Sequence, residues 1–199
     1  MPSQYSGETA KLKYVALDDA VLLSIGRLVR AFADYEEITN LFIAGLTKLT
    51  QSQALILLGR AGIANRLKMA EHLAKITPGE HLDRFKKAFD TDFFRDAHQC
   101  RNATAHGTYL GMDDEGFVAF LTDKTDNPVG QSTVQIVISY LPATIKEVSL
   151  AAAKNVDPMA KILGLETWLK KHQPQTLRPH KKGRLPRNRG DKPLHPREP

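Results

Sequence analysis

The stretch CRNATAHG, from Cys100 to Gly107, sets an arginine, an asparagine and a histidine within six residues. On a helix, Asn102 and His106 are four apart and share a face, and the long side chain of Arg101 reaches the same patch. His98 extends that line by one turn. The stripe 98, 101, 102 and 106 is therefore polar, with Phe93, Ala97, Cys100 and Thr104 expected on the inward face. These residue types suit RNA cleavage without a metal. Histidine changes charge near neutral pH, so it can take the proton of a ribose 2′-hydroxyl or give one to the leaving oxygen. Arginine keeps its charge and forks two donors onto phosphate oxygens, while asparagine supplies a neutral donor and acceptor that orients either partner. Small residues at Ala103, Thr104 and Ala105 leave room for a second surface, including a symmetry-related subunit. The structural alternative is that Asn102 and His106 only hydrogen-bond the chain reversal at Gly107.

The elements that must hold this stripe read as mainly α. Asp18 and Asp19 can cap a long amphipathic helix whose stripe is Leu28, Phe32, Tyr35, Thr39, Phe42, Leu46 and Leu49. Thr50 or Ser52 can cap a second helix running without interruption to the Pro78-Gly79 break, and the two should form an antiparallel hairpin. Leu82, Phe85 and Phe89 mark a shorter helix, and Thr91 or Asp92 can cap the one that carries the polar stripe. Gly107 is placed to end that helix in the left-handed conformation. The period then changes. TYLGM, a turn at Asp113 to Gly116, FVAFLTD and the alternating Val134, Ile136 and Ile138 read as a β-hairpin or three-stranded insert over about 108–138. Helix returns at Pro142, and Asp157-Pro158 reads as the start of a further one.

Composition supports a packed domain at about 18–171, preceded by a polar segment, 1–17. The chain has 199 residues, 42% of them hydrophobic. Its one cysteine excludes an internal disulfide framework and a zinc ribbon. Neither a secretory signal nor an apolar run of the roughly eighteen residues needed to span a membrane is visible, so a soluble, cytoplasmic protein is expected. The net charge of +6 is unevenly spread: 170–199 hold ten Lys/Arg against two Asp/Glu, which leaves 1–169 at −2. The last stretch, 172–199, is proline-rich and reads as a disordered basic tail, in which Lys181, Lys182, Arg184, Arg187 and Arg189 are candidates for a loose contact with RNA.

Other chemistries lack their residues. His72 and His81 flank the Pro78-Gly79 break on different elements, and Asp113, Asp114 and Glu115 fit a hairpin turn better than a calcium loop, so no metal site is expected. No glycine-rich phosphate cradle or nucleophile elbow is present, and no cofactor is implied.

RNATAH, residues 101–106, resembles the signature of the HEPN superfamily, an arginine followed by a polar residue, a short spacer and a histidine late in a helix of an antiparallel bundle. Arg101 and His106 match the shortest spacing and Asn102 the polar position. The resemblance implies a metal-independent endoribonuclease that works as a homodimer with its two motifs at the interface. Many family members are toxins of toxin–antitoxin systems or anti-phage defence components, which implies an antitoxin or regulatory protein as a further partner. Family members often carry an acidic residue on an earlier helix, for which Glu36 is the preferred candidate over Asp34 and Glu37. The alternative function is a non-catalytic helical module that binds nucleic acid or a partner protein.

Overall fold

A computed structural model describes residues 12–59, 61–125, 133–166 and 170; the five basic candidates between Lys181 and Arg189 lie outside them. The described chain is mainly helical, with one small antiparallel sheet.

Helix α1, Asp19–Thr47, is capped by Asp18, whose carboxylate accepts from the Val21 N–H at 2.7 Å. Leu28, Phe32, Tyr35, Thr39 and Phe42 are buried as their spacing requires, and Tyr35 donates to the Ala152 carbonyl at 2.5 Å. The helix stops at Lys48, which takes the left-handed conformation with φ 56°, before Leu49 can join the stripe. Thr50 then caps α2, Gln51–Leu58, in a capping box with Gln53.

The uninterrupted second helix expected between Thr50 and Pro78 is in fact two. Gly59, with φ 51° and ψ −127°, breaks the chain, and α3 begins afresh as Ile63–Ile76. Such a φ is open to glycine and strained for other residues. The break is stapled by Arg66, only 8% exposed, which donates to the Ala61 carbonyl at 2.6 Å, to Asn40 Oδ1 of α1 at 2.6 Å and to the Gly59 carbonyl at 3.4 Å. Replacing Arg66 by methionine keeps the aliphatic stem and strands buried acceptors. Urea unfolding should register a loss of about 2–3 kcal/mol.

Helices α4, His81–Phe89, and α5, Asp92–His106, follow. Thr91 caps α5 by accepting from the Phe94 N–H at 3.1 Å. The inward face of α5 is Phe94, Ala97, Cys100 and Ala103, so Phe93 and Thr104 are half-buried and Ala103 is not free to receive a second surface. The rotation follows from Phe94, whose ring meets those of Tyr35, Phe32 and Phe89 at 5.5, 5.6 and 5.2 Å. Aromatic pairs at these distances favour one helix orientation over its neighbours.

Strands β1 (Thr108–Met112), β2 (Val118–Thr125) and β3 (Thr133–Tyr140) form an antiparallel sheet in that order. Val118 opposes Tyr140 and Phe120 opposes Ile138, and these four are buried. Ile136 is half-buried, while the Val134 side chain lies outside the description. The turn between β1 and β2 is held by the Asp113 carboxylate, which accepts from Glu115 and Phe117 N–H groups. The end of the N-terminal segment lies along this sheet: Lys13 and Met112 exchange two backbone hydrogen bonds of 2.9 Å, and Tyr109 donates to the Val15 carbonyl.

Helix α6 runs from Pro142 to Ile162, straight through Pro158. The expected restart at Asp157 does not occur. An internal proline costs about 3 kcal/mol, and the continuous buried row Ala152, Val156, Met159 and Ala160 offsets it. No single described helix is long and apolar enough to cross a membrane.

Candidate functional site

The last two turns of α5 carry Arg101, Asn102 and His106, and the structure joins them by hydrogen bonds. Arg101 Nη1 lies 2.7 Å from His106 Nε2 and 3.0 Å from Asn102 Oδ1. Asn102 Nδ2 in turn lies 3.2 Å from His98 Nε2. The four residues of the polar stripe therefore form one chain of contacts.

Arg101 fixes the direction of every bond in that chain, because a guanidinium has only donors and does not lose its proton. The Asn102 atom facing it must be the carbonyl oxygen, so the amide nitrogen faces His98 and donates. Both histidine Nε2 atoms must then be acceptors, and both rings carry their hydrogen on Nδ1. Burial, with the Arg101 charge as a lesser cause, holds His98 below the ordinary histidine pKa, in keeping with a neutral acceptor.

These side chains open into a groove of about 710 Å³. One wall is the start of α3 at Gly62, Ile63 and Ala64; the opposite wall is the sheet, through Thr122, Ile136 and Ile138. The β insert thus lines the site. No pattern within α5 predicted which distant strand would stand opposite His106. The alternation in β3, which gave Ile136 and Ile138 a common face, was the available signal.

Gly107 ends α5 but not in the left-handed region: its φ is −74° and its ψ 153°. Its requirement is space. A Cβ there would come within 2.4 Å of the Ala103 carbonyl oxygen and 2.9 Å of Thr122 Cγ2. Glycine lets the strand turn back tightly beneath His106 and brings β2 against the helix end.

The remaining candidates are placed as follows. Glu36 is half-buried on α1 and does not line the groove; Asp34 pairs with Arg30 at 2.9 Å. Cys100 is buried and its thiol is pushed up to about 12 by that burial, which suits packing rather than nucleophilic attack. Among the described residues no group of three or more His, Cys, Asp or Glu converges where a metal ion could be held. No family model, curated protein or solved structure matches the chain.

Proposed function

We propose that the chain is a metal-independent endoribonuclease of HEPN type, in which His106 moves the proton and Arg101 stabilises phosphate charge. The observation that carries this reading is the Arg101–His106 contact of 2.7 Å, braced by Asn102 and open to a groove whose volume falls within the roughly 300–1,000 Å³ of small-ligand sites.

At rest, Arg101 occupies the lone pair of His106 Nε2, and Arg101 Nε is buried with no hydrogen-bond partner among the described residues. A phosphodiester in the groove offers the guanidinium better acceptors. Turning toward it, Arg101 makes a charge-assisted fork, gives Nε an acceptor and uncovers the histidine lone pair. That imidazole takes the 2′-hydroxyl proton, the 2′ oxygen bonds to phosphorus, and the bond to the 5′ oxygen breaks as that oxygen gains a proton from solvent or from a second imidazole. A homodimer joined across this groove would bring the second imidazole. The product ends are a 2′,3′-cyclic phosphate and a 5′-hydroxyl.

Because the 2′ oxygen is the nucleophile, an RNA carrying a single 2′-deoxy residue at its cleavage position should resist cutting there, in buffer containing EDTA. Cleavage immediately 3′ of the deoxy residue at an unchanged rate, or a requirement for magnesium, would contradict this mechanism.

A second reading, a non-catalytic module that binds a partner protein, has one observation in its favour. Leu55, Ile56 and Leu57 of α2 are 44%, 79% and 70% exposed, and three consecutive exposed apolar residues are unusual away from an interaction surface. Under this reading the protein is silent toward RNA and is retained by a partner such as an antitoxin or regulatory subunit.

A further inference from the structure

We propose that His98 is a positioning residue of the Arg101–His106 site: its neutral Nε2 accepts from the Asn102 amide and so fixes which end of that amide faces Arg101. The inference rests on the reading of Arg101 and His106 as the reacting pair, and it adds a residue two turns away from His106 that acts through Asn102 and Arg101.

The imidazole is held in place. It stacks on Phe32 at 5.6 Å with 25° between planes and on Phe94 at 6.3 Å with 15°, so it is not free to swing away from Asn102. When His98 takes a proton, Nε2 becomes a donor that faces the donor end of the amide. Either the contact opens or the amide turns over, and a turned amide presents its nitrogen to Arg101, again donor against donor. In both cases Arg101 loses the Asn102 oxygen that braces it, and its hold on His106 changes. A proton on His98 is therefore felt at His106 through two intervening side chains.

The charged and titratable groups that share the hollows around His98 are Arg101, Arg95 and His106 on α5, Lys68 and Glu71 on α3, Lys86 on α4 and Asp90 at its end. Arg95 is committed to Asp90 and Asp92. Burial and Arg101 oppose the proton, so the change falls on the acid side of the ordinary histidine range.

The test is a pH titration of the histidine ring nitrogens by NMR in the full chain, comparing wild type with His98→Gln, His98→Phe and Asn102→Ala. In the wild type, His98 should be the Nδ1–H tautomer at neutral pH, and the His106 ring signals should show a step at the His98 midpoint. That step should vanish in Asn102→Ala and in His98→Gln. Glutamine can offer an acceptor without titrating, so His98→Gln should cleave RNA at near wild-type rate and lose the part of the acid fall in activity that follows the His98 midpoint, leaving the part due to His106 itself. His98→Phe keeps the stacking and lacks the acceptor, and should lose about 10- to 100-fold in kcat/KM. A His106 step that survives in Asn102→Ala, or an Nε2–H tautomer at His98, would overturn the inference. Coupled ring titrations in a protein that cuts no RNA would sink the ribonuclease reading and leave the positioning role standing; cleavage without the coupling would sink the positioning role alone.

Discussion

Replacing His106 by alanine should lower kcat/KM for RNA by about 10²- to 10⁴-fold, the usual worth of a positioned proton-transfer group, while the protein stays folded. The two halves of this expectation have separate grounds. His106 is exposed, and among the described residues its side chain hydrogen-bonds to Arg101 alone, so its loss should move the unfolding free energy by no more than about 0.5 kcal/mol. The proposed activity, in contrast, depends on the lone pair of His106 Nε2, the atom that Arg101 contacts in the groove. Arg101→Ala should fall comparably, and Arg101→Lys should not restore it, because an ammonium lacks the planar fork that can reach Asn102, His106 or a phosphate with paired donors. Steady-state kinetics beside thermal unfolding of the same preparations separates lost chemistry from lost fold.

The second large effect is on stability. Gly107→Ala should destabilise the chain by about 3 kcal/mol, toward the upper end of overpacking costs. The backbone angles at Gly107 are ordinary extended values that alanine adopts freely, so the whole cost is steric. The added methyl would meet the Ala103 carbonyl oxygen at 2.4 Å and the Leu121 carbonyl oxygen at 3.1 Å. Backbone oxygens cannot swivel aside as a side-chain tip can. The helix end and β2 must part, and the groove wall at Thr122 moves with them. Urea unfolding should show the lower midpoint. A midpoint equal to wild type would mean that the helix end and the strand are not in the close contact described.

Where one local rule determined the outcome, the sequence was legible. The four-and-three spacing from Leu28 to Phe42 can be satisfied only by burying one face of a helix, and Asp18, Thr50 and Thr91 are caps in fact as in type. Asn102 and His106 converge because four residues on a helix is one turn, and Arg101 joins them because its stem is long. The failures lie where local signals competed with distant packing. The apolar period continues across Gly59 to Gly62, so nothing in the pattern marked the break, which is fixed by Arg66 reaching back to Asn40 on α1. Pro158 carried a correct local signal for a helix start and was overridden by the buried face of α6. Gly107 was correctly expected to end a helix, but for the wrong physical reason, since glycine is demanded by crowding from the Ala103 carbonyl and from β2, some fifteen residues later. The groove was least legible of all. Its far wall comes from Thr122, Ile136 and Ile138, and the spacing along one helix contains no information about which strand stands opposite it.

Acidity provides a further check on the described site. The folded His98 holds its proton less readily than the unfolded residue, whose pKa is about 6.5. As pH falls below that value the unfolded chain binds the proton first, so this residue removes stability on acidification until the pH passes below its folded pKa. The same direction applies to the ordered state of Asn102 and Arg101.

The most direct measurement is mass spectrometry of the products formed when a single-stranded RNA is incubated in EDTA with the full chain and, side by side, with its His106→Ala variant. Fragments ending in 2′,3′-cyclic phosphate are expected from the first and intact RNA from the second. Equal fragmentation by both, or intact RNA with both while each is folded and free of bound protein, would contradict it.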